Sequence, residues 1–465
     1  MKKAAKWLGI VIGVVVVLVI IILAAAYIYV PDLHKQWVKP GIAQRKIPTG
    51  VDTSVVIENV SVIPMDSERV LEGQSVVIED GRIANIRPDG ELDIPADAHV
   101  VDGTGKFLIP GLSDMHMHTF GSENDLLVYL ANGVTTIRVL GADPPAILEW
   151  RDQIIAGTRV GPNIWAWWPM IESHTFDPKW LAEMTTRGGE TFVYTPEEAE
   201  QLVAEAAAMG VDGIKSHVVF SAGVFQALQE SAAKHGLPFD GHVPIDQLEC
   251  WDCFRSMEVP ALAHVEELVE VSGSSDASIR QIAQDAADDG IWVTTTLYLA
   301  RSIVDQAADL EGALAAMPEV KYVHPDVFDT RWGAGANDYV DFDSFISEGL
   351  PAREKMLRAL YESGALLMSG TDATLPLMPP GFSLHDEFET MVDVGLTPYD
   401  VLRTSTYNPA LYLGELEDFG TVETGKLDQL VFSPWITHSR IMPPTGIIRP
   451  WQRRLKSITA TFLIV

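Results

Sequence analysis

The sequence is poor in cysteine and in basic residues. It has only two cysteines among 465 residues, Cys250 and Cys253, so a structural zinc site with four cysteine ligands is excluded. Their Cys-x-x-Cys spacing leaves a local disulfide, two free thiols or a redox motif as alternatives. The chain has 33 basic against 64 acidic residues and a net charge of −31. This balance argues against nucleic acid as a partner, because a phosphate backbone requires a basic surface.

Charge is absent from residues 7–30, and three of the first six residues are lysines. A helix of that length measures about 36 Å and can cross a bilayer core of about 30 Å. The lysines favour a cytoplasmic N-terminus, which places everything after the helix outside. We therefore expect a cytoplasmic stub and single-pass transmembrane anchor at 1–30, and a linker at 31–52. The alternative is secretion after a signal peptide is cleaved near Ala24-Ala25-Ala26.

Short runs of β-forming residues occur near both ends of the chain. They span 54–58, 75–79 and 82–86 near the start, and 430–433 and 457–465 at the end. Asp80-Gly81 separates two of these runs and is a strong hairpin signal. We therefore predict a small discontinuous β-sandwich domain formed by residues 53–106 and 416–465.

The middle of the chain repeats a pattern of helix, glycine and strand. The clearest helix start is Thr195-Pro196-Glu197-Glu198, where Thr195 and Glu198 form a capping box. The helix–glycine pattern recurs at 125–133, 225–236, 278–290 and 352–364, and strands are predicted at 107–109, 134–139, 211–214, 237–241, 261–263 and 365–371. Such alternation implies a parallel sheet. Its closed form is a (β/α)8 TIM-like barrel, expected at 107–415, with 300–351 as a candidate lid insertion.

Side chains that can bind metal follow the strands of this predicted barrel. In an extended segment, the two histidines of His116-Met117-His118 point to the same side and can reach one ion. Barrel enzymes place their active sites at the carboxyl ends of the strands. The residues found at these ends are His116, His118, Lys215, His242, His264 and Asp372. Their joint placement predicts a metal centre.

With these residues in place, the chain resembles the amidohydrolase superfamily, within its prolidase-like and imidazolonepropionase-like branch. The resemblance covers nearly everything from about residue 54 onward. The segments that carry it are FLIPGLSDMHMH at 107–118, NGVTTIR at 132–138, GVDGIK at 210–215, SGTD at 369–372, NPA at 408–410 and LG at 413–414.

The resemblance also implies a binuclear metal centre. His116, His118 and Asp372 would hold the more buried ion, and His242 and His264 the more exposed one. Lys215, carboxylated by CO2, would bridge both, which favours two divalent ions over one and counts against a deaminase. Zinc is the first choice for these nitrogen and oxygen ligands, although other first-row metals suit them. A bridging hydroxide would attack an amide carbonyl, and catalytic Asp372 would transfer the proton to the leaving nitrogen.

Four further side chains are weaker candidates for substrate contacts: His174, His217, Tyr298 and His385. The expected reaction is hydrolysis of an amide bond in a small molecule, such as a dipeptide or an N-acyl amino acid. Two alternatives remain: a lactone or phosphotriester hydrolase on the same metals, and a non-catalytic membrane-tethered binding protein. The sequence is compatible with a homo-oligomer.

Overall fold

The computed structural model describes residues 54–92, 94–119, 121–141, 144–173, 190–219, 221–242, 244, 250–272, 275–332 and 343–433. The predicted transmembrane anchor and linker, the strand predicted at 457–465 and the candidate His174 lie outside these residues. Within the described ranges, none of the helices combines the length and the apolar composition needed to span a bilayer.

Strands and helices alternate through most of the described chain. The strands are β1 (Val55–Val62), β2 (Leu71–Glu79), β3 (Arg82–Pro88), β4 (His99–Asp102), β5 (Phe107–Pro110), β6 (Leu112–Met117), β7 (Val134–Leu140), β8 (Asn163–Glu172), β9 (Glu190–Phe192), β10 (Gly213–Ser216), β11 (Phe239–Gly241), β12 (Ala261–Leu262), β13 (Trp292–Thr294), β14 (Leu366–Met368) and β15 (Leu430–Ser433). The α-helices are α1 (Asn124–Ala131), α2 (Pro144–Ile155), α3 (Pro196–Met209), α4 (Ala222–Lys234), α5 (Trp251–Arg255), α6 (Glu266–Ser272), α7 (Asp276–Asp288), α8 (Leu297–Ala316), α9 (Pro325–Val327), α10 (Asp343–Glu362), α11 (Phe382–Val394), α12 (Pro398–Thr404) and α13 (Tyr407–Tyr412). A 3-10 helix spans Pro318–Tyr322 and a π-helix spans Phe328–Trp332.

The ends of the described chain meet in one six-stranded mixed sheet. Its order is β15-β5-β1-β2-β3, and β4 pairs with β1. The hairpin predicted at Asp80-Gly81 is confirmed: the two residues have φ of 51° and 72°, which is typical of the two-residue turn that joins twisted strands. The apolar faces of these strands bury a core of their own, which includes Ile57, Val76 and Phe432.

The start of the barrel was predicted wrongly. β5 was assigned to the barrel, but it pairs in parallel with β1 and antiparallel with β15 in the small sheet. The barrel begins five residues later, at Leu112 of β6. A short buried apolar run can belong to either sheet, so the composition of residues 107–110 could not show which sheet β5 joins. The sandwich itself stays a prediction, because the described residues of this region form a single sheet.

Eight parallel strands form the nearly closed barrel that the sequence predicted. They pair in the order β6-β7-β8-β10-β11-β12-β13-β14, with β9 added beside β8. The last strand reaches back to the first, since the amide of Met115 donates to the Ser369 carbonyl at 2.9 Å and Met117 bridges Ala373. The large apolar core lies between this barrel and its outer helices.

Helix α3 begins and ends at the predicted signals, whereas α10 begins at Asp343, nine residues before its predicted start at 352. The Thr195 hydroxyl accepts from the amide of Glu198, and the Glu198 carboxylate accepts from the amide of Thr195. Helix α3 begins at Pro196, directly after Thr195. Gly210 ends that helix with φ of 78°, a conformation that glycine adopts at little cost. The 300–351 region, predicted as an insertion, is largely helical where described. Arg301 links α8 to α10 and α11 through ion pairs with Glu354 at 2.8 Å and Asp393 at 3.1 Å.

Candidate metal centre

Five barrel strands carry the predicted ligands to one place. His116 lies in β6 and His118 directly follows it. Lys215 lies in β10, whereas His242, His264 and Asp372 follow β11, β12 and β14 by one, two and four residues. Parallel strands present their carboxyl ends on one face of a barrel. The six side chains are consequently brought to the same edge.

The tightest part of this cluster contains His116, His118 and Asp372, whose ligand atoms lie within 4.8 Å of one another. The Asp372 Oδ1 atom is 3.3 Å from His116 Nε2 and 2.9 Å from His118 Nε2. Lys215 Nζ approaches the same His116 Nε2 at 3.2 Å. All four side chains are buried.

His242 and His264 continue the cluster on its other side. The ring centroid of His264 lies 4.5 Å from that of His116 and 4.8 Å from that of His242. His264 is buried, whereas the His242 side chain is 23% exposed. The histidines therefore form a continuous row that runs from a closed end to an open one.

The hydrogen bonds of His116 and His118 fix which ring nitrogen faces the cluster. His116 Nδ1 lies 3.1 Å from the Ala263 carbonyl, and His118 Nδ1 lies 3.2 Å from the Gly141 carbonyl. A carbonyl can only accept, so each Nδ1 donates, and each neutral ring keeps its lone pair on Nε2. Both lone pairs point towards the Asp372 carboxylate, an arrangement that a cation between them would stabilise.

The histidines are also in the protonation state that metals require. Burial holds the pKa of His116, His242 and His264 well below its usual value. Burial lowers the pKa of His118 as well, although its contact with Asp372 opposes the shift. Neutral imidazole is the ligand form. The buried Nε2 of His242 has no hydrogen-bond partner among the described residues, so a ligand position is open there. This donor set fits divalent ions such as zinc.

The backbone beside Asp372 is held by a hydrogen-bond network that the sequence did not reveal. Asp372 has φ of 60°, a left-handed conformation that is uncommon outside glycine. The preceding residue, Thr371, donates its amide and its hydroxyl to Asp114, at 3.1 and 2.6 Å. Asp114 also accepts from the amide of His116 at 3.2 Å. The buried Asp114 carboxylate thus links the Asp372 loop to strand β6, which carries His116. Its position two residues before His116 is the only indication of this role in the sequence.

Two carboxylates support the more open histidines and were also missed. Glu267, in the first turn of α6, lies 2.6 Å from His242 Nδ1, and Glu172, at the end of β8, lies 2.7 Å from His217 Nδ1. Carboxylate partners of this kind fix the tautomer and orientation of a metal-bound histidine. Both glutamates are buried. Their position at the end of a strand or the start of a helix is the only sign of this role in the sequence.

Arg138 sits inside the barrel beneath the cluster. Its guanidinium contacts the Asp240 carboxylate and donates to the Met115 carbonyl at 2.7 Å. The guanidinium also packs against the stacked rings of Trp167 and Tyr412, at 5.3 and 5.2 Å from their centroids. These contacts join the strands that carry the ligands and give Arg138 a structural role.

The candidates for substrate contact occupy different surroundings. The His217 ring lies edge-on to His242, with centroids 5.0 Å apart, and its side chain is 31% exposed beside the cluster. Tyr298 packs on the apolar group that includes Ala373, next to Asp372. His385 instead bonds the Asn132 carbonyl at 3.0 Å, just past the end of α1, and packs on Phe388. The contacts of His385 are those of a structural residue.

The two cysteines form a disulfide, with Cα atoms 5.2 Å apart. Of the alternatives open from the sequence, the local disulfide is the one observed.

Comparisons with known proteins point to a single family. The profile described as "Amidohydrolase family" matches residues 107–436. Adenine deaminase 2 of Bradyrhizobium sp. (strain ORS 278) is 26% identical over 254 residues, which are 52% of this chain and 39% of that protein. The chain spans less than half the length of the first curated relatives it matches.

Solved structures share the fold. A Xaa-Pro dipeptidase with methionine bound in its active site superposes with a TM-score of 0.63 at 18% identity, over 82% of this chain and 93% of that one. The bottromycin amidohydrolase superposes with a TM-score of 0.61 at 22% identity, over 85% and 84%.

Proposed function

The chain belongs to the amidohydrolase family, and on that premise we propose that its strand-end cluster holds two divalent metal ions and hydrolyses an amide bond. The observation that carries the proposal is the convergence of four neutral histidines, the Asp372 carboxylate and the buried Lys215 amine. A solvated surface cluster would not be buried, and the buried Nε2 of His242, which has no partner among the described residues, leaves a ligand position open.

Lys215 is the proposed bridge between the two ions. Its side chain is buried, and burial lowers the pKa of its amine to about 8. A neutral amine can add CO2, release one proton and become a carbamate anion. Two adjacent cations would stabilise that anion, whereas a solvated ammonium gains nothing comparable. The three buried groups around the Lys215 amine, His116, His118 and Asp372, would hold the more enclosed ion.

When bound, the two ions lower the pKa of a water and polarise the substrate carbonyl. Asp372 lies at the centre of the cluster and accepts the proton of the attacking water. It then donates that proton to the leaving nitrogen, acting first as base and then as acid. Glu267 holds the His242 ring in position throughout.

The proposed substrate is a small molecule with an amide bond, such as a dipeptide or an N-acyl amino acid. The Xaa-Pro dipeptidase and the bottromycin amidohydrolase, whose folds this chain shares, support that class. His217 and Tyr298 border the cluster and are the proposed contacts for the remainder of the substrate.

We further propose that the catalytic domain is exported and stays attached to the membrane through residues 1–30. The uncharged run at 7–30 and the lysines before it support this location. The Cys250–Cys253 disulfide agrees with it, since disulfides persist in oxidising compartments. A reporter fused to the C-terminus should be active only outside the cytoplasm, and activity restricted to the inside would contradict the topology.

The activity is tested with purified, zinc-loaded protein against four panels: dipeptides, N-acyl amino acids, lactones and phosphotriesters. We expect two metal ions per chain and turnover in the amide panels. Lys215→Ala should remove at least one ion and the activity. Turnover confined to lactones or phosphotriesters would move the substrate class to those esters. Absence of bound metal, with Lys215→Ala leaving every activity unchanged, would favour a binding protein instead.

A further inference from the structure

A segment outside the strand–helix repeat packs beside the proposed metal centre. We call residues 318–332 the brace segment: it comprises the 3-10 helix Pro318–Tyr322, the short helix α9 and the π-helix Phe328–Trp332. Val323, Val327 and Trp332 form a buried apolar cluster within it, and Trp332 is fully buried. The brace segment is therefore a packed structural unit of the enzyme.

The brace segment contacts the loop that follows Asp372. The indole Nε1 of Trp332 donates to the Thr374 carbonyl at 3.1 Å. The ring of Tyr322 stacks on that of Phe382, with centroids 5.5 Å apart and planes 15° from parallel. Trp332 thus contacts the loop between Asp372 and α11, and Tyr322 contacts the first residue of α11, where that loop ends.

Helix α8, which leads into the brace segment, adds a third contact. Gln306 is buried and donates its Nε2 to the Pro376 carbonyl at 2.9 Å. Two carbonyls of the Asp372 loop therefore accept side-chain donors from a single stretch of chain, residues 306–332. This stretch supplies no proposed metal ligand.

The loop needs support of this kind because its backbone is strained. Asp372 and Leu377 have φ of 60° and 58°, left-handed values that non-glycine residues avoid. Strained residues persist only when their surroundings hold them. If the loop relaxed to ordinary backbone angles, the Asp372 carboxylate would turn away from His116 and His118.

We propose that the brace segment holds the Asp372 carboxylate against the histidines, with Trp332 as a positioning residue. Trp332 acts two residues beyond Asp372, through a backbone carbonyl, and touches no reacting atom. The inference rests on the proposed function only through the role of Asp372 as ligand and proton carrier. It gives the 300–351 region, which was predicted only as an insertion, the role of positioning Asp372.

The direct test is Trp332→Phe, which keeps an aromatic ring but deletes the indole N–H. We expect kcat to fall about tenfold with KM within about twofold, because support of a ligand from outside the donor set is typically worth 10–100-fold. A chelator should extract zinc about tenfold faster from the variant. The matched control is Trp251→Phe, which deletes an indole bond of 2.9 Å to Asp285 on the outer helices and should change neither quantity.

A double-mutant cycle separates positioning from general destabilisation. In an Asp372→Asn background, Trp332→Phe should lower the residual kcat no further, since the carboxylate it positions is gone. If Trp332→Phe does not fold, Gln306→Met removes the other donor to the same loop and should give the same kcat loss and zinc release.

Equal zinc release and equal kcat in Trp332→Phe and Trp251→Phe would overturn the inference, as would an undiminished effect in the Asp372→Asn background. The proposed function fails separately, if the zinc-loaded wild type hydrolyses no member of the amide panels. In that case the chelator measurement still decides whether the brace segment positions Asp372.

Discussion

The two pairs of histidines in the cluster are held by different kinds of partner. His116 and His118 direct their Nδ1 atoms at the backbone carbonyls of Ala263 and Gly141, at 3.1 and 3.2 Å. Both rings lie in the closed part of the cluster. Because the partners are main-chain atoms of the barrel wall, the fold itself sets the direction of these two rings.

His242 and His264 depend on side chains instead. The Nδ1 of His242 meets the Glu267 carboxylate at 2.6 Å, and that of His264 meets the Thr296 hydroxyl at 2.8 Å. His242 is also the partly exposed member of the row. We call His116 and His118 the closed half of the site, together with Asp372, and His242 and His264 the open half. The orientation of the open-half rings can be changed by single substitutions that leave the barrel intact, whereas that of the closed-half rings is set by the backbone.

The largest effect is expected in the closed half, from Asp372→Asn. The amide keeps the shape of the side chain but cannot accept a proton, so kcat should fall by about 10²–10⁴-fold, the usual contribution of general acid–base catalysis. Zinc content should fall too, because a neutral amide is a poorer ligand. Steady-state kinetics and metal analysis on the same preparation measure both. A variant that keeps wild-type kcat would remove Asp372 from the mechanism.

The positions of the ligands could be predicted because a parallel barrel gathers strand ends. Each of His116, Lys215, His242, His264 and Asp372 lies in or within four residues of a strand end, so their order along the chain sufficed. The capping box at Thr195 located α3 for a similar reason: both signals are local in sequence.

What could not be predicted are contacts between distant segments. His116 and the carbonyl that orients it are 147 residues apart, and no sequence pattern records which carbonyl faces a given ring. β5 was assigned to the wrong sheet, because a short apolar run does not show which sheet it joins. The bond from Trp332 to Thr374 crosses from an irregular region into the active-site loop, which no periodicity connects.

The open half should respond strongly to Glu267→Gln. The amide can still accept a bond from His242 but lacks the charge that raises the basicity of the ring, so zinc affinity should drop about 10–100-fold at one of two sites. Competition with a chelator should show one weakened and one unchanged ion. The matched control is Glu172→Gln, which alters the equivalent contact of His217 at 2.7 Å, outside the ligand set. Equal weakening in both variants would contradict a specific role for Glu267.

Carboxylation of Lys215, the proposed bridge between the two ions, should depend on pH. Burial lowers the pKa of Lys215 to about 8, and only the neutral amine adds CO2. Below pH 8, the neutral fraction of the Lys215 amine rises about tenfold for each unit of increasing pH. Above pH 8 this fraction levels off. Metal-free enzyme given zinc at constant dissolved CO2 should therefore regain activity about tenfold faster at pH 7.5 than at pH 6.5, with little further gain above about 8.5. A rate that is flat with pH would argue against carboxylation.

The smallest effect is expected from Thr296→Val, which removes the hydroxyl beside His264 and keeps the shape of the side chain. Thr296 has φ of 42°, and valine is equally β-branched, so backbone strain is nearly matched. A neutral hydrogen bond contributes about 1 kcal/mol, which corresponds to about a fivefold loss of zinc affinity in the open half. Thr135→Val is the control, since the Thr135 hydroxyl is buried without a partner among the described residues and no bond is lost there. A loss as large as that from Glu267→Gln would show that the two open histidines are not distinguished by the charge of their partners.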